Sequence, residues 1–589
     1  MKRKDRRIKE VMEWFKTAVS YKGEPFVIDY EQAVAVADTS LNMIVVARAG
    51  SGKTRTLVAK IVYLVSVFGV KPEEIIAFVF NANAATEINE RLSEMRVNGK
   101  QVIDDIKIAS TFHAFSRQIV YGMCDGRAKC GEILAERKDE YVLEIVRRMM
   151  KEEKWRILVL SFIKGMDGCL SDDGFYDESG LEPLSDSELE KFSVMMVQFI
   201  NRAQQRYLGG KMTVGEVAKR YLNSGEVLER EEIFIRLGVE VFRRYHWYLL
   251  NSERGLKGFS EYGTDFNLIV SWASKLIASR RPEVVELLKG KKYILIDEYQ
   301  DFSQLFLAAV MAIRSVAVDA KLFVVGDDWQ AINRFAGSDV EYFKGFEKYF
   351  PGGRRLEITT NYRCDREVVG RARKFMAKGM GEKGEFRAFS KKMGKVMVVN
   401  PQEVPCELPV VKYDRRIGSG DLMYAEMARR MLHREPKRKT VRYVKAVVEL
   451  MRREKLAREI MILHRNNETN LEGVSLVDFT RGLRWGLSCV EAMTEEEFEA
   501  RVRVMTMHKS KGLEAETVII LEADEGVIPK THSDTILYRM FGETEEVALD
   551  DQKRLFYVAM TRAKKRLYIM SEGGGFVKYL GRGVERWGE

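Results

Sequence analysis

The stretch Met43–Thr56, MIVVARAGSGKTRT, combines an apolar run, a loop of small residues and the start of a helix. The run Met43–Ala47 is typical of a buried strand. The loop residues that follow are Ala49, Gly50, Ser51 and Gly52. Glycines let successive backbone N–H groups turn towards one anion, and the helix N-terminus adds a positive dipole end. The pattern therefore predicts a loop that holds the phosphates of ATP, with Lys53 at the β- and γ-phosphates and Thr54 at Mg²⁺.

The whole chain has the composition of a globular protein with several domains. Its 589 residues are 46% hydrophobic and 31% charged, with a formal net charge of +10 and a pI near 9.0. That basic balance favours a polyanionic partner. No run of about eighteen apolar residues occurs, which predicts no membrane span. The basic N-terminus lacks the apolar core of a secretory signal, and helical spacing of its apolar residues predicts a packed surface helix instead.

The six cysteines are scattered along the chain, and only Cys124 and Cys130 lie close together. No second pair completes a zinc or iron–sulfur set, so reduced thiols are expected. Together with the N-terminal sequence, this cysteine usage predicts a cytoplasmic protein.

Strands that alternate with helices predict a parallel α/β sheet, with ligand-binding loops at the carboxyl ends of its strands. The strands predicted in the first half are Ile75–Phe80, Ile106–Ser110, Tyr293–Ile296 and Lys321–Val325. From about residue 116 to 255 the apolar residues recur at helical spacing, which predicts a helical insertion. Within it, Ser185 and Glu188 have the spacing of a capping box at the start of a helix.

Two of these strand ends carry side chains suited to nucleotide hydrolysis. The strand Tyr293–Ile296 runs directly into Asp297 and Glu298, and the strand Lys321–Val325 leads to Gln330. Asp297 can hold Mg²⁺, directly or through water, while Glu298 can orient and deprotonate the attacking water. A helix cap after a strand is the alternative interpretation of this acidic pair. Gln330 is placed to sense a γ-phosphate.

Six ordered blocks of sequence resemble a known enzyme family, and Gln32 lies upstream of them. They are ARAGSGKT (47–54), DEYQD (297–301), GDDWQAINRFAG (326–337), TTNYR (359–363), TMHKSKGLEAE (506–516) and YVAMTRAKKRLY (557–568). In order and content they resemble the superfamily 1 DNA helicases of the UvrD/Rep type. Within that family the chain is most similar to helicase IV-like members with a reduced 2B subdomain.

The resemblance implies an α/β fold of two RecA-like P-loop NTPase domains in tandem, with ATP between them. The implied division is domain 1A at 1–115 and 256–340, a helical 1B insertion at 116–255, domain 2A at 341–465 and 503–589, and a reduced 2B-like insertion at 466–502. The apolar runs expected to build the second sheet are Arg354–Thr360, Val396–Val399, Glu459–Leu463, Thr517–Leu521 and Arg566–Met570.

The resemblance also implies how ATP is hydrolysed. The residues expected to take part are Lys53 at the phosphates, Thr54 and Asp297 at Mg²⁺, Glu298 as general base, and Gln330, Arg363 and Arg562 at the transferred phosphoryl group. Arg562 follows a predicted helix at the position that the family uses for an arginine finger. Because Arg363 and Arg562 would lie on the second sheet, we expect fast hydrolysis only when the cleft closes.

The base and ribose of ATP have their own expected contacts, again from the resemblance. Gln32 would read the adenine edge, and Tyr362 and Arg55 would stack on the base. Glu514 would bind the ribose.

A translocase must hold single strands without reading their sequence, so it needs aromatic platforms beside polar phosphate contacts. The candidate DNA-binding residues are Phe80, Thr111, His113, Phe335, Thr506 and His508. The family places stacking aromatics where Phe80 and Phe335 stand. Core packing is the alternative for these two residues, and a structural hydrogen bond is the alternative for His113 and His508.

The chain departs from the family pattern at several positions. Asn333 and Ala336 replace the usual tyrosine and arginine, and Ala84 replaces a lysine. The stretch Asn466–Val502 is too short for the large 2B subdomain of many relatives. Translocation along a single strand is therefore the better-supported expectation, and duplex unwinding the weaker one.

The predicted function is an ATP-dependent single-stranded DNA translocase and 3′→5′ helicase in DNA repair, recombination or replication. Expected partners are single-stranded DNA, tailed duplex DNA and repair or replication proteins, with the protein at the nucleoid. An alternative is a helicase-like ATPase that displaces RNA polymerase or other bound proteins without processive unwinding. A degenerate ATPase with only structural DNA binding is a third interpretation.

Overall fold

The computed structural model describes residues 2–103, 106–122, 131–133, 135–165, 183–225, 227–251, 262–404, 439–456, 459–467, 469, 471, 474–491, 493–530 and 533–588. Two six-stranded parallel sheets dominate these residues, as predicted. The strands of the first sheet are β1 Asn42–Ala47, β2 Ile75–Val79, β3 Ala109–Thr111, β4 Tyr293–Ile296, β5 Lys321–Gly326 and β6 Arg354–Ile358. They pair in the order β6-β1-β5-β4-β2-β3.

The second sheet is built from the later part of the chain. Its strands are β7 Lys395–Val399, β8 Ile460–His464, β9 Val502–Thr506, β10 Ala515–Ile520, β11 Ala563–Met570 and β12 Glu585–Arg586. They pair in the order β9-β8-β10-β11-β7-β12, again parallel throughout. A smaller antiparallel sheet near the N-terminus joins Glu24–Pro25, Val19–Tyr21, Met95–Val97 and Lys100–Gln101.

Helices surround both sheets. In chain order they are α1 Lys2–Ala18, α2 Tyr30–Ala37, α3 Lys53–Ser66, α4 Ala82–Glu94, α5 Phe112–Gly122, α6 Ala135–Met149, α7 Glu153–Lys164, α8 Asp186–Tyr207, α9 Val214–Leu222, α10 Glu229–Leu250, α11 Phe266–Ala278, α12 Pro282–Leu288, α13 Gln304–Val316, α14 Glu341–Lys344, α15 Phe346–Tyr349, α16 Arg366–Met380, α17 Lys439–Arg453, α18 Leu476–Glu491, α19 Glu495–Arg501 and α20 Glu545–Met560. Among the described residues no helix is both long and apolar enough to span a bilayer.

The two faces of the first sheet bury alternate residues of β1. Met43, Val45 and Ala47 join the core on the face that carries α1–α4, whereas Ile44 and Val46 join the core on the opposite face. Because both faces are covered, the strand has an unbroken apolar sequence. Helix α1 buries Ile8, Val11 and Phe15 in the first of these cores, which confirms the packed surface helix predicted at the N-terminus.

The expectation that Arg354–Ile358 belongs to the second sheet is wrong. This strand, β6, pairs in parallel with β1, with Arg354 opposite Met43 and Ile358 opposite Ala47. The side chain of Ile358 is buried in the core of the first sheet. The apolar run predicts a strand but carries no information about the neighbouring strand with which it pairs.

The helical insertion forms a core of its own from α6 to α10. A short parallel pairing of Gly131–Ile133 with Tyr262–Asp265 joins its two ends. The predicted capping box is confirmed, because the hydroxyl of Ser185 accepts from the backbone N–H of Glu188 and the Glu188 carboxylate accepts from the backbone N–H of Ser185. Cys124 and Cys130, the two cysteines that are close together in the sequence, lie outside the described residues.

A segment from the second half of the chain packs into this insertion. Residues 533–543, here called the clasp, contain a 3-10 helix, Ser533–Phe541, and lie between β10 and α20. The clasp residues buried in the insertion core are Leu537, Tyr538, Met540 and Phe541. At its edges Arg539 Nε lies 3.2 Å from Glu231, and Arg202 Nε lies 2.6 Å from Glu543. The clasp therefore ties the second sheet to the helical insertion.

The region predicted as a reduced 2B-like insertion, 466–502, contains α18 and α19. Phe479, Leu483 and Leu487 of α18 are buried against the same core as Val444 and Val448 of α17. This stretch is therefore part of the core beside the second sheet.

Candidate active site and nucleic-acid cleft

The loop between β1 and α3 has the geometry of a phosphate cradle. Gly50 and Gly52 have φ values of 66° and 82°, which favour glycine. Gly52 is the N-cap residue of α3 and provides no side-chain cap, so the N–H groups of the first turn can face an anion. The hydroxyl of Ser51 is buried without a hydrogen-bond partner among the described residues. An uncapped helix start beside an unpartnered hydroxyl fits the phosphates of a nucleotide.

The end of β4 brings two carboxylates to this cradle. Thr54 Oγ1 donates to Asp297 Oδ2 at 3.2 Å, and Lys53 Nζ lies 3.4 Å from Glu298 Oε2. A hydroxyl and a carboxylate oxygen side by side are ligands that Mg²⁺ prefers, so Thr54 and Asp297 fit a metal. Glu298 has a φ of 48°, a left-handed backbone conformation that is uncommon for a residue other than glycine and that occurs most often at functional sites.

The two carboxylates titrate differently because of their surroundings. Burial and the adjacent charge of Glu298 raise the pKa of Asp297. Burial also opposes the ionisation of Glu298, but the charges of Lys53 and Lys511 outweigh it and lower the pKa of Glu298. Glu298 is thus held ionised, the state that a general base requires.

Residues of the second half complete the site from the opposite side. Asn361 Nδ2 donates to the carbonyl of Ala49 at 2.6 Å, and the Tyr362 N–H donates to the carbonyl of Gly50 at 2.9 Å. A Cβ on Gly50 would lie 2.6 Å from Asn361 Nδ2, so this close approach requires glycine. Asn361 was not among the predicted site residues, although the TTNYR block contains it.

The two predicted arginines occupy different positions in this cleft. Arg562, only 1% exposed, donates from Nη2 to Gln330 Oε1 at 3.4 Å. Burial and the nearby charge of Arg363 lower the pKa of Arg562 to about 9. Arg363 Nε donates to Glu514 Oε2 at 2.7 Å, so Glu514 lies in an ion pair in this structure. Gln330 and Arg562 are therefore brought together, and Glu514 faces Arg363.

The residues predicted at adenine lie around the N-terminus of α2. Gln32 Nε2 donates to the carbonyl of Ser51 at 2.9 Å, which places the amide beside the phosphate loop. The Arg55 guanidinium lies 4.2 Å from the centre of the Phe26 ring. Tyr362 is exposed, and its hydroxyl donates to Asp29. Phe26 and Asp29 also lie in this region. The sequence did not indicate them, since neither belongs to one of the six sequence blocks that resemble the helicase family.

A cleft of about 930 Å³ lies between the first sheet, the helical insertion and the second sheet. Phe335 and His508 line it together, with Arg465 and Arg202. Phe335 is 54% exposed, and its ring meets that of His508 edge-on at 5.6 Å. Burial and the charges of Arg465 and Lys511 lower the pKa of His508 to about 4, so its ring is neutral at neutral pH.

The other predicted DNA contacts lie outside the lining of this cleft. Phe80 is half-buried and packs edge-on against Phe306 at 5.5 Å. The Thr111 hydroxyl accepts from the N–H of Ala114 at 3.0 Å, and the His113 ring stacks on Phe266 at 4.3 Å. Thr506, at the end of β9, accepts from the N–H of Lys509 at 3.4 Å. The structure brings Phe335 and His508 together but gives these four residues local partners.

Comparison with known proteins agrees with this architecture. The family model of the UvrD/REP helicase N-terminal domain matches residues 28–351, and that of the UvrD-like helicase C-terminal domain matches residues 423–573. DNA helicase IV of Escherichia coli is 25% identical over 92% of this chain and 67% of its own length. A protein of Mycoplasma pneumoniae named probable DNA helicase is 23% identical, over 92% of this chain and 83% of its own length.

A third relative matches over a shorter stretch. The ATP-dependent DNA helicase PcrA of Bacillus subtilis is 28% identical over 57% of this chain and 38% of its own length. Because a single family model covers more than half of the chain, and its C-terminal counterpart covers strands β8–β11 of the second sheet, the chain belongs to the UvrD/REP helicase family.

Proposed function

We propose that the chain hydrolyses ATP between its two sheets and uses closure of that cleft to move 3′→5′ along single-stranded DNA. As a member of its family it is an ATP-dependent DNA helicase. The observation that carries the proposal is the contact of Arg562, beside the second sheet, with Gln330, beside the first. Charge from one domain reaches the nucleotide site of the other only while the cleft is closed.

In the proposed hydrolysis step each side chain has one task. Lys53 neutralises phosphate charge, and Glu298 orients and deprotonates the attacking water. Gln330 and Arg562 stabilise the charge that develops on the transferred phosphoryl group, with Arg562 as the arginine finger and Arg363 beside it. Thr54 and Asp297 would hold Mg²⁺, which supplies further neutralisation of the phosphates when bound.

The ion pair of Lys53 with Glu298 suits a site that awaits its substrate. When ATP binds, Lys53 would move from the Glu298 carboxylate to the phosphates, and the carboxylate would then be able to bind the attacking water. Arg363 can likewise exchange Glu514 for phosphate oxygens, since the partner at 2.7 Å is a half-exposed carboxylate. Both exchanges would favour hydrolysis only after ATP has bound.

The nucleic-acid track is proposed to follow the cleft that Phe335 lines. Its exposed ring offers a stacking surface for a base, and the neutral ring of His508 braces it from the side. Arg465 supplies positive charge to the same lining, whereas the charge of Arg202 is paired with Glu543. This combination tolerates any base sequence, as a translocase requires. We further propose action in DNA repair, recombination or replication.

We also propose a division of the chain into motor domains and insertions. The first sheet with its helices serves as domain 1A, α6–α10 as insertion 1B, and the second sheet as domain 2A. The 2B-like stretch adds α18 and α19 to the core of 2A, so it contributes little surface of its own to a duplex.

Measurement of DNA-stimulated ATP hydrolysis tests the proposal. Single-stranded DNA should raise the turnover of the wild type, whereas Lys53→Ala should lose at least about a hundredfold in kcat/KM because the phosphates lose their counter-charge. Arg562→Ala should reduce kcat by about 10³-fold. Lys71→Ala, at an exposed lysine, is the matched control and should resemble the wild type. Wild-type turnover that ignores DNA would contradict the motor.

Strand displacement on duplexes with a 3′ tail, a 5′ tail or no tail tests the direction. Displacement from the 3′-tailed substrate alone is the expected result. Unwinding only from a 5′ tail would overturn the proposed polarity, and ATP turnover without any displacement would restrict the function to translocation.

A further inference from the structure

Arg48 is a buried arginine between β1 and the phosphate loop, and no part of the hydrolysis scheme uses it. Its Nη1 lies 2.9 Å from Asp327 Oδ1 and 2.6 Å from Asp328 Oδ1. Its guanidinium lies 4.0 Å from the centre of the Trp329 ring. Burial opposes its charge, but the two carboxylates outweigh burial and raise the pKa of Arg48. The arginine thus joins the phosphate loop to three consecutive residues after β5.

Asp327 also contacts Gln330, the residue that we propose at the γ-phosphate. Its Oδ2 accepts from Gln330 Nε2 at 2.6 Å, while its backbone N–H donates to Gln300 Oε1 at 2.8 Å. The other end of the Gln330 amide, Oε1, accepts from Arg562. Because the Nε2 end of the amide donates to the Asp327 side chain, the Oε1 end is the one that faces the arginine finger.

Gln300 extends the chain of contacts to the proposed base. Its Nε2 donates to the Glu298 carboxylate, and its Oε1 accepts from Asp327. A Cβ at position 326 would lie 2.6 Å from Gln300 Oε1, so Gly326 leaves room for this contact. Asp327 therefore lies one hydrogen bond from each of the two amides that contact Glu298 and Arg562.

Trp329 links the same loop to the second domain. The side chain is only 1% exposed, and its ring centre lies 5.4 Å from that of Tyr557 and 6.4 Å from that of Phe386. Trp329 shares a buried core with residues of α16 and α20. Arg48 covers one side of this ring, so it contacts both the orienting carboxylate and the side chain that inserts into the other domain.

We propose that Arg48 is a positioning residue for ATP hydrolysis, which acts through Asp327 to orient the Gln330 amide towards Arg562 as the cleft closes. The proposal rests on the role of Gln330 given above. Stability alone does not require an arginine at position 48, because an apolar residue often stabilises a protein core as much as a buried ion pair does. The Arg48 guanidinium does more here than fill space, because it holds one oxygen of the buried Asp327 carboxylate while the other oxygen accepts from Gln330.

Steady-state kinetics of Arg48→Met test this role, since methionine keeps a side chain over Trp329 but removes the charge. We expect kcat to fall about ten- to a hundredfold with little change in the KM for ATP, the cost of a misplaced catalytic group. Arg48→Lys should lose less. Asp327→Asn, which is isosteric, should match Arg48→Met. Asp328→Asn should stay near the wild type, because the side-chain amide of Gln330 donates to Asp327 and not to Asp328.

A double-mutant cycle separates positioning from a general structural effect. If Arg48 acts through Gln330, Arg48→Met should change kcat little once Gln330→Ala is present. Arg371→Met is the matched control, because Arg371 is a buried arginine that donates to the carbonyls of Leu580 and Arg582 far along the chain. It should lower the Tm and leave kcat unchanged in both backgrounds.

Two results would overturn the proposal in different ways. Multiplicative losses in Arg48→Met and Gln330→Ala would show that Arg48 acts independently of Gln330. An unchanged kcat in Gln330→Ala alone would remove the function proposed for Gln330 itself, and with it the basis of the inference. If Arg48→Met does not fold, the same cycle with Asp327→Asn decides between these outcomes.

Discussion

Lys60 is a lysine buried on the inner side of α3. Its ammonium group donates to the carbonyls of Val36, at 2.9 Å, and Asp38. Burial lowers its pKa to about 7, with the charge of Asp38 opposing that effect and Lys321 adding to it. In the unfolded chain the group titrates near its ordinary value of 10.5. Between these two values the unfolded state binds more protons, so this residue makes stability rise with pH.

Replacement of this lysine should therefore change the pH dependence of unfolding. From pH 7 to pH 10 the Tm of the wild type should rise relative to that of Lys60→Met, by the equivalent of up to about 1.4 kcal/mol per pH unit. Below pH 7 the difference should be constant. Lys71→Met, at an exposed position, is the comparison. A difference between wild type and Lys60→Met that ignores pH would show that the ammonium is not desolvated.

Single residues differ in how far the sequence reveals them. Lys53, Asp297 and Glu298 were predictable because each belongs to a short pattern whose chemistry requires that residue type. Arg48 and Asp327 were not, since their contact joins positions far apart in the chain and neither is required by the phosphate-loop pattern. The sequence does not show that a charged residue is buried, because the residue that pairs with it is known only from the fold.

Helix α8 is an element whose start the sequence specifies locally. Ser185 caps it, and Glu188 returns a hydrogen bond to the Ser185 backbone N–H. Ser185→Ala should destabilise the first turn by about 1 kcal/mol, whereas Ser185→Asp should retain the cap. Amide hydrogen exchange of residues 186–190 measures this directly. Equal protection of these amides in Ser185→Ala and wild type would contradict the capping role.

Strands were predictable as elements, but their neighbours were not. Every apolar run assigned to a sheet does form a strand, within a few residues at each end. The run at Arg354–Ile358 nevertheless pairs with β1 in the first sheet. An apolar run indicates that a strand is buried on both faces. It does not indicate the neighbouring strand, which depends on the topology of the whole sheet.

The clasp connects two parts of the chain that are distant in sequence, and the sequence pattern does not reveal this connection. Its buried residues recur at helical spacing, but this spacing does not indicate that they fill a core formed by α6–α10. Loss of Arg539 and Glu543, through the double variant Arg539→Ala/Glu543→Ala, removes the ion pairs to Glu231 and Arg202. The buried residues of the clasp would remain.

This variant should release the clasp more often and so change how DNA is taken up. Association with closed circular single-stranded DNA, measured by stopped-flow fluorescence, should become several-fold faster, while association with short linear strands should change less. Arg147→Ala removes an exposed ion pair with Asp186 on the same insertion and is the matched control. Equal association rates for circular and linear DNA in the wild type would contradict a closed arrangement.

The clasp also has a topological consequence. Residues beside the first sheet contact residues beside the second through Gln330 and Arg562. The clasp, which follows the second-sheet strand β10, contacts the insertion through Glu543 and Arg202, and the insertion contacts the first domain through Arg206 and Asp339. These three contacts join the three parts of the chain in a closed circuit, and residues of all three parts line the cleft that contains Phe335. A strand inside that circuit is encircled, so it can leave by sliding off an end without breaking any contact. A circle has no end, and its release requires one of the three contacts to open.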